Sequence, residues 1–169
     1  MVSLRLKKVL RILFTFLFGK VSSRIMIYLR LIQKVKGTKL HFVAVLSSRR
    51  LEKYGVFISL KASLGDNLRF PHPTSIVIGE GVYIGSDVTI YQSVTLGGRV
   101  IGDRKKGNYP TIGDGTVIFA GAVIVGKVNI GKNCVIGANS VVISDLPDNS
   151  VAVGAPARVV KILDTSKSV

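Results

Sequence analysis

Aliphatic residues recur at every sixth position through most of the second half of the chain. Ile78, Ile84, Ile90 and Leu96 form one run, and Ile112, Ile118, Ile124, Ile130, Ile136 and Val142 form another. The following residue is often glycine, as at Gly79, Gly85, Gly97, Gly113, Gly131 and Gly137. The fourth residue after each aliphatic is small or modest: Val82, Val88, Val94, Thr116, Ala122, Val128, Cys134 and Ser140. Ile58 and Leu64, with Ala62 and Leu68, make an earlier and less regular pair. Neither a helix of period 3.6 nor a plain alternating strand generates a strict six. A unit that points one large aliphatic and one small residue inward, with glycine at a bend where positive φ is cheap, predicts a short strand and a turn. Three units close a triangular coil, and stacked coils bury a column of Ile, Leu and Val while their backbones pair from coil to coil.

The first third of the chain has a different pattern. Residues 9–18 are strongly apolar, but the stretch is interrupted by Arg11 and is far shorter than the roughly 20 residues a membrane-spanning helix needs. A secretory leader is disfavoured because Lys20 follows at once and no small-x-small cleavage site is present. Residues 21–36 predict a second helix, with Ile25, Met26, Tyr28, Leu29, Ile32 and Val35 apolar, Arg24, Arg30, Lys34 and Lys36 basic, and Gly37 as the break. Two compatible roles follow for these faces. They rest on an anionic membrane surface, or they pack on the domain or a neighbouring subunit and leave the basic residues solvated. The expected organisation is a basic, apolar helical arm at 1–55, a repeat domain at 56–160 with an extruded loop at 97–110, and a tail at 161–169.

Composition sharpens this division. With 47% hydrophobic residues in 169, a wholly disordered chain is excluded. The formal net charge of +15 is uneven: residues 1–61 hold 14 Lys/Arg and only Glu52 as an acid, while the remainder holds 10 Lys/Arg and 8 acids. The charge therefore belongs to the arm and suits an anionic surface. Nucleic acid is not the expected partner, because the interleaved residues are bulky aliphatics rather than stacking aromatics and no nucleic-acid module is present. The single cysteine, Cys134, excludes an intrachain disulfide framework and a cysteine-built zinc site. It falls in an inward slot as a small hydrophobe, no metal is expected, and a reducing, cytoplasmic setting is the natural reading, with the arm on the inner face of the membrane.

The hexad register resembles the left-handed parallel β-helix of the hexapeptide-repeat acyltransferases; the hand comes from that family, since general crossover rules favour the opposite one. Two breaks in the period mark extruded segments. One contains His72 within Phe70-Pro71-His72-Pro73-Thr74; the other runs from Gly97 to Pro110. Acyl transfer from a thioester to a hydroxyl needs a base of near-neutral pKa, for which histidine is the default. The other histidine, His41, has no such context and reads as a surface or helix-packing residue.

The segments 74–80, 87–98 and 153–158 are similar to the serine acetyltransferase branch of the family. That resemblance implies His72 as the catalytic base and acetyl-CoA as co-substrate. The thioester would lie in a groove between β-helices of a homotrimer, against Gly98, Ala120 and Ala138 with Arg158 nearby. It also exposes departures: the family's histidine-pairing aspartate falls on Phe57, an aspartate before the histidine is Pro71, and an Arg-His pair is Asn108-Tyr109, here the candidate acceptor-binding residues. A backbone carbonyl, Asp66 or Glu80 is left to orient His72. Because the amino acid's charged groups lose their partners, the chain is expected to resemble the short O-acetyltransferases of capsule and exopolysaccharide clusters, with a sugar hydroxyl as acceptor. The alternatives are serine O-acetylation and a non-enzymatic trimeric scaffold.

Overall fold

Fourteen short strands fall into three stacked sheets, which form the sides of a triangular parallel β-helix. The computed structural model describes residues 14–15, 19–35 and 37–164. Most of the apolar stretch 9–18, Lys36 and the end of the tail lie outside the described residues. The first side carries β1 (Val56–Ile58), β3 (Ile76–Ile78), β6 (Thr95–Gly97), β9 (Val123–Val125) and β12 (Val141–Val142). The second carries β2 (Ser63–Leu64), β4 (Tyr83–Ile84), β7 (Thr111–Ile112) and β10 (Asn129–Ile130). The third carries β5 (Thr89–Ile90), β8 (Val117–Ile118), β11 (Val135–Ile136) and β13 (Ser150–Gly154). All these pairings are parallel, and like hexad positions face one another, as in Ile84↔Ile112 and Leu96↔Ile124. β14 (Ala157–Ile162) departs from the coil and folds back antiparallel on β13.

The inward columns follow the sequence period. All ten aliphatics of the two runs are at most 2% exposed, and the small positions between them are at most 4% exposed. At about 1.5–3 kcal/mol for each fully buried aliphatic side chain, this column is the main driving force for the coil. Polar residues in the small slots are satisfied locally. Thr116 Oγ1 donates to the Gly131 carbonyl at 3.0 Å and accepts from the Cys134 amide at 3.1 Å, and Ser150 Oγ donates to the Pro147 carbonyl at 2.8 Å. Cys134 is fully buried, with its sulfur 3.1 Å from the Pro147 carbonyl oxygen.

The glycines after the aliphatics correct one expectation. They do not take positive φ; that conformation falls two residues later, at Asn67, Asp87, Ser93, Gly115, Gly121, Asn133 and Asn139. Asn, Asp and Ser tolerate it by bonding locally. The glycines serve instead for close approach between coils. A Cβ on Gly113 would sit 2.6 Å from the Gly131 carbonyl carbon, and one on Gly85 would sit 2.8 Å from the Asp114 nitrogen. Their spacing is set by the adjacent coil rather than by the bend itself.

Two helices precede the coils. In α1 (Val21–Val35), Ile25, Tyr28, Leu29 and Ile32 are buried, so the apolar face packs on the body of the protein. Gln33 Nε2 also donates to the Leu64 carbonyl at 2.6 Å, tying α1 to the first coil. α2 (His41–Glu52) buries Ala44, Ser47 and Leu51, packs on α1 and leads into β1. His41 is exposed. No helix among the described residues is long and apolar enough to cross a membrane.

Candidate active site

His72 lies in the corner segment between the third and first sides, where the chain leaves its bridge at Arg69↔Thr89 and enters β3. The prolines on either side fix φ and keep the segment out of regular strand. The imidazole is exposed, and its ring neighbour is Tyr91 one coil on, with centroids 6.3 Å apart. Tyr91 stacks in turn on Phe119 at 5.0 Å. This outward aromatic ladder gives the His72 loop a firm backing.

The same corner, in successive coils, carries Ala120 and Ala138. The Asn139 amide donates to the Ala120 carbonyl at 2.9 Å, and the Gly121 amide to the Gln92 carbonyl at 3.0 Å. Ala120 is half-buried and Ala138 is exposed, so the corner above His72 is a strip of small side chains with accessible backbone.

Gly98, Asn108 and Tyr109 lie elsewhere. The loop 98–110 leaves from the opposite edge of the first side, between β6 and β7. Its organiser is Asp103, which the sequence reading missed. This carboxylate is 4% exposed and accepts from the Arg99 amide at 2.7 Å, the Val100 amide at 2.8 Å and Asn108 Nδ2 at 2.9 Å. The Asn108 bond first, then the two amides, hold its pKa below the ordinary carboxylate range, and the charge of Lys106 adds to this. The one available signal was an acid set among Arg104, Lys105 and Lys106. It begins a one-turn helix, α3 (Asp103–Lys106), flanked by Gly102 and Gly107 in the left-handed region.

Gly98 leaves room for this staple, since a Cβ there would lie 3.0 Å from Asp103 Cβ. The Tyr109 ring covers Gly79 and Gly81; a Cβ on Gly79 would be 3.2 Å from Tyr109 Cε1. Arg158, on β14, is exposed, and its Nη1 donates to the Ala157 carbonyl at 3.0 Å. Within one chain His72, Ala120 and Ala138 therefore share one corner in different coils, whereas Gly98, Asn108 and Tyr109 line the far edge of the first side. The two carboxylates considered as orienters of His72 also sit at other corners. Glu80 pairs with Arg104 at 3.1 Å and Lys61 at 3.7 Å, and the Asp66 amide bonds to Ser86 Oγ at 3.2 Å. Phe57, on β1, is half-exposed on the outward face and pairs with Val77. Among the described residues no cluster of three metal-ligating side chains occurs.

Residues 109–144 match the family model described as bacterial transferase hexapeptide (six repeats). A serine acetyltransferase of Helicobacter pylori strain J99 is 42% identical over 132 residues, which cover 78% of this chain and 76% of that protein. The chain belongs to the serine acetyltransferase family. The serine acetyltransferase of Bacillus pumilus is 43% identical over 123 residues, and there the match spans only 56% of the relative's length. A serine acetyltransferase structure in complex with CoA superposes with a TM-score of 0.74 at 34% identity, covering 87% of this chain and 60% of that one. One in complex with cysteine gives 0.76 at 33%, covering 91% and 59%.

These likenesses correct the expected acceptor. The sugar-hydroxyl reading rested on residues judged by their lost charge, Asn108 and Tyr109 among them. In the structure Asn108 donates to Asp103 and the Tyr109 ring lies over Gly79 and Gly81. Relatives at 43, 42 and 43% identity are serine acetyltransferases, which favours serine over a sugar as the acceptor.

Proposed function

We propose that this protein transfers the acetyl group of acetyl-CoA to the hydroxyl of L-serine, as a homotrimer of left-handed β-helices, with His72 as the general base. The observation that carries the reading is the position of His72, exposed on a firm corner at the foot of the Ala120 and Ala138 strip, in a chain whose relatives are serine acetyltransferases. The imidazole accepts the serine hydroxyl proton as the oxygen attacks the thioester carbonyl. The tetrahedral intermediate then collapses with loss of the thiolate, and the imidazolium returns its proton to the sulfur. O-acetylserine and CoA are the products, and the histidine ends neutral.

Gly98, Ala120 and Ala138 are assigned to the thioester arm, with the exposed Arg158 available to an acidic group of the CoA. Asn108 and Tyr109 are assigned to the acceptor side as the edge of a loop held by Asp103. The separation of His72 from that loop supports a site completed between copies. Its first side presents apolar outward residues, Phe57 and Val77 among them, which a neighbouring β-helix would cover.

The test is thiol release from acetyl-CoA by the purified protein. Release that rises with L-serine and saturates is expected. Release that ignores serine, or that requires a different hydroxyl acceptor, would refute the substrate assignment.

A further inference from the structure

We infer that the outward face of α2 is a docking surface for an anionic lipid bilayer. The helix buries Ala44, Ser47 and Leu51, and the side opposite these carries Phe42, Leu46, Arg49 and Lys53 at spacing i, i+4, i+7 and i+11. Such spacing stacks the four along one stripe. Phe42 is 59% exposed and Leu46 is 55% exposed. Leu40, 53% exposed in the turn before the helix, extends the apolar part.

The charges have one sign. Arg49, Arg50 and Lys53 are exposed and form no ion pair among the described residues. Glu52, the only acid among the first 65 residues, lies round the helix on the side of His41, away from the stripe. Two or three large apolar groups continued by cations that form no ion pair among the described residues match the layered chemistry of a lipid surface, in which phosphates lie above acyl chains. A second copy docked face to face would set these cations against their own equivalents, and nucleic acid has no apolar layer to receive Leu40 and Leu46. The structure thus moves the membrane face from α1, whose apolar residues are buried, to α2.

The experiment is co-sedimentation of the full chain with vesicles of phosphatidylcholine alone and of phosphatidylcholine with one third phosphatidylglycerol. Binding to the anionic vesicles only, weakened by salt, is expected. Phe42→Ser with Leu46→Ser, and separately Arg49→Glu with Arg50→Glu, should each reduce partitioning by about tenfold or more while leaving acetyl transfer unchanged. Unchanged turnover also verifies that the variants fold. Three results would overturn the inference: no preference for anionic vesicles, binding by either double variant undiminished from that of the parent, or a change of oligomeric mass in the Phe42 and Leu46 variant showing that a second copy covers the face.

Discussion

Close approach between coils makes single glycines costly to replace, and Gly113 is the sharpest case. The contact that a Cβ would meet there is backbone, the Gly131 carbonyl and the Lys132 nitrogen, so no side chain can move aside. Gly113→Ala should destabilise the protein by about 1–3 kcal/mol in urea unfolding, as overpacking of a dense interior does. Asn133→Gly, at a position with φ of 53°, should change stability little. Equal losses in the two variants would refute the distinction between the spatial and conformational roles. This difference was hidden in the sequence. The hexad showed where glycine recurs, but the reason lies in a coil 18 residues away. His72 stands out as a candidate because it lies in a break of the strict period, between two prolines. Asp103 was not, since its partners Arg99, Val100 and Asn108 meet it only once the loop is closed.

The loop at 98–110 depends on that carboxylate. Its pKa is lowered in the folded protein, so its contribution is complete above the ordinary carboxylate range and is lost as pH falls through the folded value. Asp103→Asn should therefore lower the melting temperature at pH 7, and the gap from the parent should close below about pH 4. A gap that is constant or widens in acid would mean that the charged form is not what holds the loop. Among the other elements, the strands were legible because each inward position is identified by its period. The helix α2 falls within the helical arm expected at 1–55, but its own bounds were not legible, because its buried face is made of Ala44, Ser47 and Leu51 rather than of large aliphatics. The antiparallel return of β14 was also unmarked, since Val159, Val160 and Ile162 stay exposed and give no inward periodicity.

As an assembly, the protein is expected to be a trimer, and light scattering should give a mass near that of three chains of 18.2 kDa. A monomer that is fully active would contradict a site completed between copies. The net charge of +15 had suggested that the whole arm met an anionic surface; burial of the α1 apolar face leaves that task to one stripe of α2. Family membership rests on the likeness of the coil to serine acetyltransferases, while the departures expected at Phe57, Pro71, Asn108 and Tyr109 fall at separate places on it. The central claim is that His72 removes the serine proton, and kcat/KM for L-serine measured in parallel for the parent and His72→Ala addresses it directly. A loss of about 100-fold or more, with acetyl-CoA still raising the melting temperature of the variant, is the predicted result; near-normal turnover by His72→Ala would contradict it.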